Sequence, residues 1–335
     1  MSKPLISIIV PCFNAESTIA NTINSILMQT YSNIEIIIVD DASSDNSLIV
    51  CQKFSIKNQN IKIIKHETNK GQTITRNDGI NFVNGEWMLF LDSDDILPTY
   101  TLDNYVDIID KWNPDIIFSG YETSNIDGVK KQFLTDIPNG LYSSKTFGNF
   151  LFSELKPNIL TCIGSKLYKT EFVRKRKDYT SDNIKTNWDM AFVMDALISC
   201  DCLYFSNMIG YTYQLRKGSI TYSYRTDMYK NICDARRRIK EYLLKCDCYE
   251  EKKIEYHLFQ YELIKKSLLQ EIKYKKGFKV FKKTLKEISE DKLAQETTEV
   301  IVHSSVKNKY KLIMKLVNKN SSLFLYLIYN LLTKL

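Results

Sequence analysis

The amino-acid sequence predicts an α/β protein: an open, doubly wound, mostly parallel sheet joined to a helical C-terminal region. Over the first 120 residues five near-continuous apolar runs alternate with helix-like stretches. Repeated β-α-β units of this kind build a parallel sheet covered on both faces. Polar, acid-rich clusters follow three of the runs. The charge then changes sign: residues 1–219 carry 21 Lys+Arg against 25 Asp+Glu, a net −4, whereas residues 220–335 carry 25 against 14, a net +11.

Taken in order, "LISIIV" (5–10), "IEIIIVD" (34–40), "IKIIKH" (61–66), "WMLFLD" (87–92) and "DIIFSG" (115–120) read as strands, because each is a short apolar run bounded by polar turns. Crossover helices are expected at about 16–29, 45–57, 72–83 and 99–112. "SNIDGVKK" carries an Asp-Gly turn between extended runs, which predicts a hairpin near 121–134. Residues 140–219 are less regular, with turn signals at Pro157 and Gly164 and one helix around 187–199. From about 224 onward helical periodicity dominates. Ile254, Leu258, Tyr261, Leu268 and Ile272 fall close to one face, and the final "SSLFLYLIYNLLTKL" is an apolar helix too short to span a bilayer but long enough to dock.

A chain of 335 residues with 44% hydrophobic and 25% charged residues supports a sizeable core and suits one large domain with an appendage. The charge shift puts the boundary near residue 220. "LISIIVP" is too short for a secretory h-region and ends in proline, and no apolar run reaches the length of a membrane span, so a cytoplasmic protein is expected. Eight cysteines and three histidines fit a reducing compartment. The pairs Cys200/Cys202 and Cys246/Cys248 lack zinc-ribbon spacing and read as buried thiols. The basic tail implies an anionic partner: a membrane surface, a polyphosphate carrier or nucleic acid. Nucleic acid is the weakest of these, because no binding motif interleaves the tyrosines.

Ligands of open α/β sheets bind outside the carboxyl ends of the strands, where "PCFN", "DDASSD" and "DSDD" all fall. "PCFNAE" offers no glycine for a dinucleotide fingerprint, and neither a P-loop nor a serine-hydrolase elbow is present. "FLDSDD" matches the Asp-x-Asp of aspartyl phosphatases, although that pair belongs on a first strand and here follows the fourth. Asp92, Asp94 and Asp95 crowd three like charges at the end of an apolar strand, which calls for something positive. Carboxylates are the hard ligands that Mg²⁺ and Mn²⁺ prefer, with substrate phosphates completing the shell.

The sequence "ISIIVPCFNAESTIANTINSILMQTYSNIEIIIVDDASSDNS", then "NKGQTITRNDGI", then "GEWMLFLDSDD" resembles the family 2 inverting glycosyltransferases of the GT-A fold, of the type that builds bacterial surface polysaccharide. The match is dense over residues 5–100 and thin to about 220. The resemblance implies a nucleotide-sugar donor, normally UDP-linked, a divalent metal (Mn or Mg), and single-displacement transfer of a hexosyl or N-acetylhexosaminyl unit to a hydroxyl of a glycan acceptor in capsule, O-antigen or wall glycan. It divides the chain into a catalytic domain at 1–220, with a donor half at 1–120 and an acceptor half at 121–220, and a basic helical region at 221–335.

By the same resemblance, Pro11, Phe13 and Asn14 hold the uracil, with Phe13 offering a face for stacking. Asp41 accepts from the uracil N–H, and Arg76 reaches towards the base. Asp45 or Ser44 caps the next helix. Asp92 contacts the ribose and supports the metal shell, Ser93 shares that loop, and Asp94 is the direct metal ligand. Asp95 orients the loop or caps the helix near Pro98. "NWDMAF" supplies the base, Asp189, with Phe192 in the family position. Trp188 stands where glutamate is usual, and its ring suits stacking on an acceptor sugar. Asp182 and Asp195 are rival bases. "QLRKGSIT" resembles a segment that closes over the diphosphate through Arg216 and Ser219, and Lys166 is read as structural. The acceptor is expected on a lipid diphosphate, with the enzyme at the inner face of the plasma membrane. A non-catalytic sugar-nucleotide or glycan-binding subunit and a metal-dependent phosphohydrolase are the alternatives.

Overall fold

The computed structural model describes residues 3–125, 127–155, 159–175, 188–216, 224 and 228–332. The chain divides into two compact units, Met1–Ser219 and Ile220–Leu335.

In the first unit, β1 (Ile6–Cys12), α1 (Ile19–Leu27), β2 (Ile34–Asp40), α2 (Ser47–Lys57), β3 (Ile61–Lys65), α3 (Gln72–Asn81), β4 (Trp87–Phe90), α4 (Thr101–Trp112) and β5 (Ile116–Ser124) follow the expected alternation. β1 lies parallel to both β2 and β4, and β2 lies parallel to β3. The strand order is therefore β3-β2-β1-β4. The chain winds outward from β1 to β3 and then returns to the other side of β1, so the reversal falls between β1 and β4. A crevice opens at such a switch point, outside the carboxyl ends of the strands. Ile8, Val10, Ile36, Ile38, Leu89 and Leu91 are fully buried in the layer between sheet and helices, as apolar runs covered on both faces must be.

The remaining elements are β6 (Lys130–Phe133), β7 (Gly140–Ser143), α5 (Ser144–Gly148), α6 (Leu151–Leu155), β8 (Lys166–Lys169), α7 (Thr170–Lys175), α8 (Trp188–Ser199) and β9 (Cys202–Gln214). The hairpin forms where the Asp-Gly turn predicts it, with β6 antiparallel to β5 and Tyr121 opposite Phe133. This half of the sheet is mixed rather than parallel. β8 inserts antiparallel between β4 and β5, and β9 runs parallel to β5. The sheet is thus parallel throughout only in its β3-β2-β1-β4 half. Lys166 is buried and donates to the carbonyls of Ile159 and Cys162, in keeping with a structural role.

The second unit comprises α9 (Met228–Lys245), α10 (Tyr249–Lys273), α11 (Phe278–Glu290), α12 (Lys292–His303), α13 (Asn308–Asn318) and α14 (Ser322–Leu332). Tyr261, Ile264, Leu268, Phe281, Leu285, Met314 and Leu325 form its core. The buried stripe of α10 differs from the expected one. Ile254 is exposed, while Tyr256, His257 and Gln260 are buried, because α9 and α12 cover that side of the helix. α14 buries Leu325 and Tyr329 but exposes Leu323, Phe324 and Leu327. No described helix is long and apolar enough to cross a membrane.

Candidate active site

β1, β2 and β4 end at one rim, and the turn after each brings side chains to it. After β1, Phe13 leaves 49% of its surface exposed, and Asn14 adopts φ +49°, a left-handed conformation that asparagine tolerates. That twist turns Asn14 to the loop after β2. Its Oδ1 accepts from the Ser44 amide at 2.8 Å, and its amide donates to Ser43 Oγ at 3.1 Å. Glu16 and Asp45 repeat the link, each accepting from the other loop's backbone. Asp45, not Ser44, also reaches the start of α2, where its Oδ1 accepts from the Ser47 amide at 3.0 Å. Pro11 lies half-buried beneath this joined wall.

Asp41 is buried behind it. Oδ1 accepts from His66 Nδ1 at 2.7 Å and from the Lys70 amide at 2.8 Å, while Oδ2 accepts from the Gly71 amide at 2.8 Å. Gly71 has φ +87°, a conformation that needs glycine, and it opens α3. Burial alone would raise the Asp41 carboxyl, but the His66 ring and the two amides outweigh it and hold the group below the usual carboxylate range. A carboxylate offers about four acceptor positions, so three protein donors leave Asp41 room for one more, on Oδ2.

The Asp92–Asp95 turn is held from both sides. Thr18, just before α1, and Thr22, within it, donate to the carbonyls of Ser93 and Asp95, each at 2.9 Å. Asp95 is fully buried: Oδ1 accepts from the Gln214 amide at 2.8 Å, and Oδ2 accepts from the Tyr211 hydroxyl. Of its two expected roles Asp95 therefore orients the loop, and α4 has no side-chain cap. Arg216 Nη2 donates to the Asp94 carbonyl at 2.8 Å, which brings a guanidinium to the same turn. Ser219 and Asp182 lie outside the described residues.

Arg76, on α3, is buried and linked to this turn. Its Nη2 donates to Asp92 Oδ1 at 2.6 Å, and its Nη1 stands 3.7 Å from Asp189 Oδ1. Although burial opposes its charge, Asp92 and Asp189 hold it more firmly protonated than a free arginine. Its guanidinium is thus turned to two carboxylates, not left open to a base. Asp189 occupies the first turn of α8 with its side chain 45% exposed. Trp188 does not face an acceptor as expected. It is buried, stacked on Phe192 at 4.8 Å with Phe90 against its edge, and the Arg76 guanidinium lies over its ring at 5.3 Å. An indole has more apolar surface to bury than a carboxylate, so the core takes it. Asp195 is buried within α8, where an acceptor hydroxyl does not reach it.

Asp94 and Asp92 suit a hard divalent cation. Burial first, and neighbouring Asp92 second, push the Asp94 carboxyl above its usual range, a cost that a bound cation relieves. No group of three or more potential metal ligands occurs among the described residues. Several residues at the rim escaped sequence reasoning: Thr18, Thr22, His66, Asp78, Tyr211 and Gln214. They act through pairings across the sheet, for which spacing along the chain gives no signal.

An open α/β sheet with an acidic rim at its switch point defines the class of protein. The family model of Glycosyl transferase family 2 matches residues 7–176, half of the chain, and the chain belongs to that family. Glycosyltransferase GlyA of Streptococcus pneumoniae is 29% identical over 223 residues, covering 64% of this chain and 31% of that protein. The UDP-Glc:alpha-D-GlcNAc-diphosphoundecaprenol beta-1,3-glucosyltransferase WfgD of Escherichia coli is 37% identical over 134 residues, 40% of this chain and 52% of that protein. The chain thus spans about a third of the first relative's length and about half of the second's. The crystal structure of S. aureus TarS 1-349 in complex with UDP-GlcNAc superposes with a TM-score of 0.74 at 22% identity, over 95% of this chain and 88% of that one, which shows a shared fold.

Proposed function

We propose that the protein is a metal-dependent inverting glycosyltransferase that moves a hexosyl or N-acetylhexosaminyl unit from a UDP-sugar to a hydroxyl of a glycan acceptor in cell-surface polysaccharide synthesis. The observation that carries this reading is the buried Arg76, which ties Asp92 of the acidic turn to Asp189 at the start of α8. It supports a single site holding both a phosphate-binding turn and a carboxylate with solvent access. Family membership, the relatives' names and the UDP-GlcNAc bound to TarS support the donor class.

In this reading Phe13 stacks on the base while Pro11 and Asn14 shape its wall, and Asp41 accepts a base N–H on Oδ2. Asp92 and Ser93 meet the ribose, and Arg216 with Ser219 meets the diphosphate. Asp189 takes the proton of the acceptor hydroxyl as its oxygen bonds to the anomeric carbon from the face opposite UDP. The bond to the phosphate oxygen breaks, and its electron pair leaves with UDP. Asp94, with Asp92 beside it, would hold a divalent cation, which would supply positive charge to offset that growing on the leaving group. The name of WfgD supports a lipid-diphosphate-linked acceptor. The lysine-rich second unit and the exposed apolar face of α14 support contact with the anionic inner face of the plasma membrane.

The test is UDP release from a panel of UDP-sugars with Mn²⁺, without acceptor and then with glycan acceptors. EDTA and Asp94→Ala are expected to abolish release. Asp189→Asn is expected to lower acceptor-dependent transfer by a factor on the order of 10²–10⁴ and to leave UDP affinity nearly intact. UDP binding without turnover for any donor and acceptor would instead mark a binding subunit, and free phosphate from sugar phosphates would mark a phosphohydrolase.

A further inference from the structure

We propose that His66 is a positioning residue that sets base specificity: by occupying Asp41 it leaves that carboxylate a single acceptor position, which selects a base presenting a ring N–H. The inference rests on the reading that Asp41 meets the donor base, and it assigns the selectivity of that contact to a residue that does not touch the donor.

His66 directly follows β3 and is buried. Its ring spans two carboxylates, with Nδ1 2.7 Å from Asp41 Oδ1 and Nε2 3.0 Å from Asp78 Oδ2. A neutral imidazole donates from one nitrogen only, and the doubly protonated ring donates from both. Asp78 lies on α3 and is also met by Lys70 Nζ at 3.4 Å. The ring is therefore a strut from the end of β2 to the helix that carries Arg76. It cannot turn without breaking one of the two contacts, and Asp41 cannot turn without breaking three.

This has a chemical consequence. A carboxylate pinned by three donors stays ionised and accepts only. Uracil carries a hydrogen on N3, between two carbonyls, and can donate it to Oδ2. Cytosine has an unprotonated nitrogen at the same place and would set a lone pair against a lone pair. Without His66, Asp41 loses a charge-assisted hydrogen bond, turns more freely and takes a proton more readily, and a protonated carboxyl can donate to cytosine. Selectivity between two pyrimidines of one shape thus follows from the proton state of one buried side chain.

The experiment is calorimetric titration of the full chain with UDP and with CDP in Mg²⁺, for the wild type, His66→Phe and Asp78→Asn. Wild type is expected to prefer UDP by about tenfold or more, the scale of one charged hydrogen bond made or opposed. His66→Phe is expected to weaken UDP by about tenfold while CDP changes by less than about threefold, so that the preference collapses. Asp78→Asn, a partly exposed position, lowers the same ratio by a smaller factor and serves if His66→Phe does not fold. Equal weakening of both nucleotides by His66→Phe, or an unchanged ratio in the variants that fold, would overturn the assignment, because a merely structural strut damages both sites alike. Wild type binding UDP and CDP equally would overturn it as well. Wild type binding neither would sink the donor-site reading beneath it.

Discussion

Three carboxylates of the Asp92–Asp95 turn sit within four positions yet meet different surroundings. Asp92 is paired with Arg76, Asp94 lies beside Asp92 with Arg216 and Arg76 only partly offsetting it, and Asp95 is sunk into the sheet against Tyr211 and Gln214. Burial pushes the Asp95 carboxyl well above its ordinary value, with Asp92 and Asp94 adding to it. Asp95 therefore depends on its hydrogen bonds. Tyr211→Phe removes one of them and leaves a buried oxygen short of a donor, which is expected to cost about 1–3 kcal/mol. Urea unfolding of the two proteins checks this, and an unchanged midpoint would mean that Asp95 finds another donor. His257 in the second unit is the converse case. It is buried, with Nδ1 3.0 Å from Thr297 Oγ1, and burial lowers its pKa from 6.5 to about 4. The unfolded chain then binds a proton that the folded chain refuses, so stability is complete above pH 6.5 and falls as the pH drops towards 4. The loss is about 3 kcal/mol across that window. Thermal melts of wild type and His257→Gln between pH 7 and pH 4 should converge as the pH falls.

α3 is the element on which the site depends most. Gly71 starts it with a backbone that only glycine adopts freely, and Gly79 lets it lie against the sheet, since a β-carbon there would stand 2.5 Å from Ile9 Cγ2. Gly79→Val is expected to force the helix outward, cost about 1–3 kcal/mol and weaken UDP binding by displacing Arg76. A variant that melts like wild type and binds UDP as well would show that α3 has slack. Such elements also mark what the sequence reveals. The four crossover helices and five strands were legible because each carries its own periodicity, and the rim was legible because its residues follow strand ends. The aim of Arg76 was not. A guanidinium turned to Asp92 and Asp189 depends on helix rotation and on a residue 113 positions later, and Trp188 reads as a ring for a sugar until Phe90 and Phe192 enclose it. The antiparallel β8 was illegible for the same reason. Its four residues carry no mark of the partners they meet across the chain.

Charge is partitioned across the whole molecule, a net −4 over residues 1–219 and +11 over 220–335. α14 itself bears no charge from Ser322 to Leu332, whereas α13 carries Lys309, Lys311 and Lys315. An apolar face beside lysines suits the headgroup boundary of an anionic bilayer. Replacing Leu323, Phe324 and Leu327 together by serine is expected to reduce co-sedimentation with phosphatidylglycerol vesicles about tenfold or more, with little change in melting because all three side chains are exposed. Unchanged sedimentation would remove α14 as the contact. The insertion of β8 between β4 and β5 also bears on synthesis. A ribosome releases β1 to β4, and with them the whole acidic turn, more than 70 residues before Lys166–Lys169 arrive to cover the free edge of β4. Through that interval β4, four buried residues paired with β1 on one side only, leaves its other edge open, the kind of edge that recruits other strands. A chain stopped at residue 112 should therefore aggregate, and one that reaches the end of β9 closes that edge with its own residues.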